Sequence, residues 1–183
     1  FNAITVDGEC STNDCVMLLA NGASGVTIDD ASYPAFLAGL TAVCRELALG
    51  IVRGGEGATK LVTVNVTGAA SADEARRAAK AIANSPRVKT ALHGGDPNWG
   101  RILAAAGRSG VPIELGRVSI WIGDVWVAEN GSARDYDETV AATAMREDPV
   151  RFRIRLGEGP ARGWMWTSDL SRGYVDINSH YRS

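Results

Sequence analysis

From position 30 onward the apolar residues fall at Phe36, Leu37, Leu40, Val43, Cys44, Leu47 and Ile51. This i, i+3, i+4, i+7 spacing predicts a helix with one buried face, stopped by Gly54 and Gly55. The period then changes. Residues 61–67 alternate and are rich in β-branched side chains, which predicts a strand, and Ser71-Ala-Asp-Glu74 is a capping box opening a helix that runs to about Asn84. Asp96-Pro97 places an N-cap before a proline at the first helical position, predicting a short helix to about Gly107. Residues 118–122 and 125–128 read as a hairpin around Gly123-Asp124, and a helix is expected over 137–146. Val150, Phe152, Ile154 and Leu156 alternate with Arg151, Arg153 and Arg155, a strand with one wet face, and residues 164–167 are its expected partner. The arginines are expected to form a solvated face rather than a binding stripe. Residues 15–20 suggest a further strand, as does the tail, where Val175 and Ile177 alternate with Asp176 and Asn178. The class is α+β, with helices layered on sheets. The break near residues 107–117 separates an expected first unit, 1–107, from a smaller C-terminal subdomain, 108–183.

Composition narrows the function classes. A chain of 183 residues with 45% hydrophobic content has enough material for one good-sized core or two small ones. Nineteen basic residues stand against twenty-one acidic ones with no basic stripe, so nucleic acid is not an expected partner. No uninterrupted apolar run approaches the ~20 residues that cross a bilayer, and no basic-then-apolar leader opens the chain; the expectation is a cytoplasmic protein with no membrane partner. Cys10, Cys15 and Cys44 lack Cys-x-x-Cys spacing and are expected to be buried free thiols, with no metal site.

Three segments combine glycine with polar residues densely enough to carry chemistry. Val6-Asp-Gly-Glu-Cys-Ser-Thr-Asn-Asp14 favours Asx and ST turns, and an ordered loop alone explains most of it. Gly54-Gly-Glu-Gly-Ala-Thr-Lys60 superficially resembles a phosphate loop, but Thr59 stands where glycine is required and Leu61 where the hydroxyl is required, so a nucleotide is not implied. The segment does offer a carboxylate, Glu56, between glycines that let backbone approach a small ligand, an arrangement suited to an ammonium group; a helix C-cap with an exposed Glu is the plainer alternative. His93-Gly-Gly-Asp-Pro-Asn-Trp-Gly-Arg101 has too few ligands for a metal and no obvious hydroxyl partner for a triad. Of His93 and His180, nothing local singles either out.

Together these segments resemble the ornithine acetyltransferase (glutamate N-acetyltransferase) family of arginine biosynthesis. The matching stretches are Phe1-Asn-Ala-Ile-Thr-Val-Asp-Gly with Ser11-Thr-Asn-Asp14, Leu19-Ala-Asn-Gly22, Gly55-Glu-Gly-Ala-Thr-Lys-Leu61, Asn84-Ser-Pro, Val88-Lys-Thr-Ala91, His93 to Arg101, and Asp169-Leu-Ser-Arg-Gly-Tyr-Val-Asp-Ile-Asn178. They run in the family's order over the whole chain, which is similar to most of its β chain. The resemblance implies an amino-terminal-nucleophile-like fold, 1–107 forming part of its core and the tail of 108–183 returning to the active site. It implies a precursor that cleaves itself before a threonine, giving α and β chains that stay together as an αβ hetero-oligomer such as a heterotetramer. The new terminal threonine takes acetyl from N-acetylornithine as an ester and passes it to glutamate, with oxyanion donors on the α chain.

In the family that threonine lies upstream of the position matching Phe1, so no catalytic nucleophile is assigned here, and Thr5 and Thr12 are internal to motifs of their own. The resemblance carries substrate binding onto Glu56, Asn178 and Ser183, the last a departure from the family's usual threonine. No cofactor is implied beyond acetyl-CoA as a co-substrate in bifunctional members. Two other readings stay open at this point: a related amidohydrolase or aminopeptidase that delivers the acyl group to water, and a non-catalytic binding or assembly subunit.

Overall fold

Strand β1 (Leu61–Ala69) organises the molecule, a computed structural model that describes residues 1–180. Val62, Val64 and Val66 point to one side and are buried, while Thr63, Asn65 and Thr67 point to the other, the two-residue period expected from this alternation. Helix α1 (Tyr33–Arg53) precedes β1. After β1 come helices α2 (Ala72–Ala83), α3 (Pro86–Gly94) and α4 (Trp99–Gly107), then the hairpin β2 (Ser119–Ile122) and β3 (Val125–Glu129). The short β4 (Ser132–Ala133), α5 (Glu138–Ala144), β5 (Val150–Arg155), β6 (Ala161–Ser168) and α6 (Arg172–His180) complete the described chain.

One sheet in the order β4-β3-β2-β5-β1-β6 holds all six strands. The α+β class stands, but β5 and β6 are not neighbours: β1 lies between them, parallel to β5 and antiparallel to β6. A central strand satisfies its ladder on both edges, and β1 does so with two strands whose paired residues come 88 to 107 positions later. The segments expected on either side of residue 107 therefore share one sheet. They also share one core, in which Val64, Ile120, Phe152 and Ile154 meet the small side chains of α2.

Local signals account for much of this. Ser71 caps α2 by accepting from the Glu74 N–H, and the Glu74 carboxylate reaches back to the Ala70 N–H, which is the capping-box logic. The alanines of α2 let it approach the sheet so closely that a Cβ on Gly163 would lie 2.8 Å from the Arg76 nitrogen. The expected helix near 137–146 is α5, capped by Asp137, but α4 is capped by Asn98, which accepts from the Arg101 N–H, not by Asp96. Helix α3 was not anticipated, although Ser85-Pro86 provides an N-cap position and a first-turn proline.

Four expectations are corrected outright. Residues 15–20 form no strand; they run irregular and exposed, because a strand needs a ladder partner and none lies beside them among the described residues. The tail is the helix α6, not a strand. The apolar side of α1 is uncovered: Phe36, Leu37, Val43, Leu47 and Ile51 are each 40–55% exposed, and Ala48 and Val52 are the buried residues of the helix. Cys10 and Cys15 are likewise exposed, and Cys44 is half-buried.

Helices α2, α3 and α4 cover one face of the sheet. The opposite face carries Arg151, Arg153 and Arg155, which stay wet as expected and are tied to Glu147, Asp124 and Glu158. Tryptophans share that face: the Arg134 guanidinium lies 4.0 Å from the Trp126 ring and Arg153 lies 5.7 Å from that of Trp121.

Candidate functional site

The Glu56 loop begins where α1 ends, with the Gly54 N–H donating to the Gly50 carbonyl at 2.8 Å. It turns through Gly57, whose φ of +65° is in the left-handed region. Gly57 also sits against α6: a Cβ there would be 2.3 Å from the Tyr174 nitrogen. Gly57→Ala is therefore expected to combine left-handed strain with a backbone collision, costing on the order of 3 kcal/mol. Thermal or urea unfolding of the variant checks this, and an unchanged midpoint would contradict the close packing of loop and helix.

Helix α6 faces the loop with side chains one turn apart. Ser171 accepts from the Tyr174 N–H at 3.4 Å, as an N-cap does, and its hydroxyl donates to the Gly57 carbonyl at 2.6 Å. The Tyr174 hydroxyl donates to Asp7 at 3.0 Å; burial, reinforced by that carboxylate, raises the phenol above its ordinary pKa. One turn on, the Asn178 amide donates to Glu56 Oε2 at 2.7 Å and to the Tyr174 carbonyl at 2.9 Å. Two residues 122 positions apart in sequence, both predicted to touch substrate, thus touch each other. Ser183 lies outside the described residues.

The first polar loop joins them. Its turns are those its composition predicts: Asp7 accepts from the Glu9 N–H, and Ser11 from the N–H groups of Asn13 and Asp14. Thr5 donates to Asn84 at 2.6 Å, which pins the loop to the end of α2 and gives this threonine a structural partner. Asp7, Glu9, Cys10, Asp14, Glu56 and Tyr174 line a cavity of about 350 Å³. Four of these are carboxylates and no lining residue is cationic, so the cavity attracts small cations and discourages anions. A larger cavity, about 550 Å³, lies between α1 and the open face of the sheet beside Trp164 and Trp166. It is mainly apolar and brings together none of the polar loops.

Beneath the Glu56 loop is a buried polar cluster that the linear sequence did not disclose. The Asp169 side chain is fully buried and accepts from the Thr59 N–H at 2.7 Å, the Thr59 hydroxyl at 2.7 Å and the Lys60 N–H at 3.0 Å. His93 Nδ1 lies 2.8 Å from its Oδ2. Burial alone would raise the Asp169 carboxyl, but the bonds from Thr59, His93 and Lys60 hold it below the usual carboxylate range. Lys89, also buried, donates to the Thr167 hydroxyl at 3.0 Å and to Ser168, and burial brings its ammonium down to about 8. Both His93 and Asp169 were visible as motif residues. Their separation of 76 positions is what concealed the contact.

The chain is an α+β unit whose glycine-rich acidic loop is closed by helix α6. The chain belongs to the ArgJ family, whose model matches residues 1–183; this is the ornithine acetyltransferase family its motifs resemble. It is 48% identical over 181 residues to the arginine biosynthesis bifunctional protein ArgJ of Parasynechococcus marenigrum (strain WH8102), covering 99% of this chain and 44% of that protein. The protein of the same name from Symbiobacterium thermophilum is 47% identical, with coverage of 100% and 46%. In three dimensions the chain is similar to the crystal structure of the arginine biosynthesis bifunctional protein argJ from Bacillus halodurans, with a TM-score of 0.93 at 40% identity, covering 99% of this chain and 87% of that one. The chain spans about half the length of the curated relatives it matches.

Proposed function

We propose that the complete protein is an N-acetyltransferase that moves acetyl from N-acetylornithine to glutamate through an acetyl-threonine ester, and that this chain supplies the substrate-holding part of the site. The observation that carries the reading is the meeting of Glu56 and Asn178 at the rim of an acidic cavity. N-acetylornithine keeps one free ammonium, on its side chain, because the acetylated nitrogen is a neutral amide. Glu56 is the carboxylate suited to that ammonium. An arriving ammonium takes over the acceptor oxygen on which the Asn178 amide rests, leaving Asn178 free to re-aim an N–H toward the substrate carboxylate. Ser183 joins them at the substrate through its hydroxyl, on the strength of its motif position.

The threonine nucleophile and the oxyanion donors belong to the rest of the protein. Its Oγ attacks the acetyl carbonyl, the ornithine amine leaves with a proton, and the glutamate amine then attacks the ester and frees the threonine. No resident cofactor is needed, and acetyl-CoA enters only as an alternative acetyl donor. An α chain of the same precursor is the proposed partner, in a cytoplasmic αβ hetero-oligomer such as a heterotetramer. Two observations support a two-chain protein. The apolar side of α1 and the run Val16, Met17, Leu18 and Leu19 are exposed, and exposed apolar surface of this kind marks a place for a partner. In addition, a solved relative has a chain of which this one spans 87%, against 44–47% of the curated relatives.

The test is to supply the complete protein with N-acetylornithine labelled in the acetyl group, together with glutamate. Label is expected on glutamate. Release of all the label as free acetate would overturn the transferase reading in favour of a hydrolase.

A further inference from the structure

The geometry points to Asp169 as the positioning residue of the Glu56 loop: its buried carboxylate grips the downstream end of the loop at Thr59 and Lys60, while Ser171, two residues on, grips its middle at Gly57. The inference rests on the proposed role of Glu56 in binding substrate. Glu56 itself is exposed, and a surface glutamate between two glycines has no intrinsic reason to hold one direction. What restrains it is the backbone on either side. Upstream, Gly54 and Gly55 are held by the last turn of α1. Downstream, the N–H groups of Thr59 and Lys60 converge on Asp169 Oδ1, and the Thr59 hydroxyl reaches Oδ2. Between them, the Ser171 hydroxyl takes the Gly57 carbonyl at 2.6 Å.

Asp169 is held in turn from its far side. His93 Nδ1 meets the same Oδ2 that accepts from Thr59. Lys89 donates to both the carbonyl and the hydroxyl of Ser168, the residue immediately before it. A buried carboxylate that meets Thr59, Lys60 and His93 at once is held in one orientation, because a lost bond inside the protein leaves a polar group unpaired. The same segment, leaving β6, then becomes α6 and delivers Asn178 to Glu56. One stretch of chain, 168–178, therefore sets both the loop and the residue that faces it. The Asp169-Leu-Ser171 stretch acts on substrate only through Glu56 and, by capping α6, through Asn178, so it positions rather than catalyses.

Three variants of the complete two-chain protein test this. Thr59→Val removes one hydroxyl donor at nearly constant shape, Ser171→Ala removes the bond to Gly57, and Thr59→Ser restores the hydroxyl. Neither of the first two strips the buried carboxylate of all its partners, as replacing Asp169 would. Each is expected to raise KM for N-acetylornithine by about 3- to 10-fold with kcat changed less than about twofold, and Thr59→Ser is expected to stay near wild type. Placed in a Glu56→Gln background, Thr59→Val should add almost nothing, since its effect passes through the missing charge, whereas Ser171→Ala, which also uncaps the helix carrying Asn178, should keep part of its effect. Effects that add fully in that background, or a KM unmoved by both variants while Glu56→Gln alone raises it, overturn the positioning role and leave the proposed function intact. A KM unmoved by Glu56→Gln itself would instead remove the functional reading of the loop and this inference with it.

Discussion

The 183-residue polypeptide produced alone is expected to transfer no acetyl group from N-acetylornithine to glutamate, and to regain transfer when the rest of the precursor is produced with it. The chain spans less than half of its curated relatives. Thr5, beside the cavity residue Val6, is committed to Asn84. Losing the covalent route removes on the order of several kcal/mol of barrier lowering, more than any binding contact restores. The same experiment reports on assembly. The uncovered side of α1 should gain protection from hydrogen exchange when the partner is present, because its backbone amides lose access to water only if Phe36, Leu37, Val43, Leu47 and Ile51 are covered. Turnover by the polypeptide alone, or an α1 that exchanges equally fast in both preparations, would defeat the two-chain reading.

Glu56→Gln in the complete protein is expected to raise KM for N-acetylornithine by about 10- to 100-fold while kcat changes little. The substitution keeps the length and one acceptor oxygen but removes the charge. A charge-assisted bond to an ammonium is thereby exchanged for a neutral one, roughly half as strong. The loss falls on KM because the side-chain ammonium is far from the reacting carbonyl and is held equally in ground and transition states. The surrounding charges sharpen the expectation: Asp7, Glu9 and Asp14 remain in the variant, so some attraction for cations persists and binding is weakened rather than abolished. Steady-state kinetics at several salt concentrations provide the check. Unchanged constants in both directions of transfer would return Glu56 to an exposed residue at the end of a helix.

Sequence by itself determined what depends on neighbours along the chain. Ser71 and Glu74 form a capping box within four residues, the turn at Gly123 joins strands two residues apart, and the arginine-alternating strand β5 needs only its own pleat to separate a buried from a wet face. Motif identity, read in order, was enough for the family, and it singled out Glu56 and Asn178, which the structure brings into contact. Contacts between distant segments were decided by the tertiary structure alone. Whether β6 pairs with β5 or with β1 depends on which strand buries its apolar face and satisfies both edges, and alternation is the same in either case. The tail alternates like a strand, yet the spacing of Tyr174 and Asn178 by four residues matches the partners Asp7 and Glu56, and those contacts together with the Ser171 cap favour the helix over local propensity. The apolar side of α1 shows the converse: its periodicity correctly signals a surface meant for burial, but burial requires a second surface, and nothing in a linear pattern says which chain provides it. For the same reason the Asp169–His93–Thr59 cluster could not be read in advance, since a buried carboxylate is defined by the donors that converge on it, and here they come from positions 76 and 110 residues away.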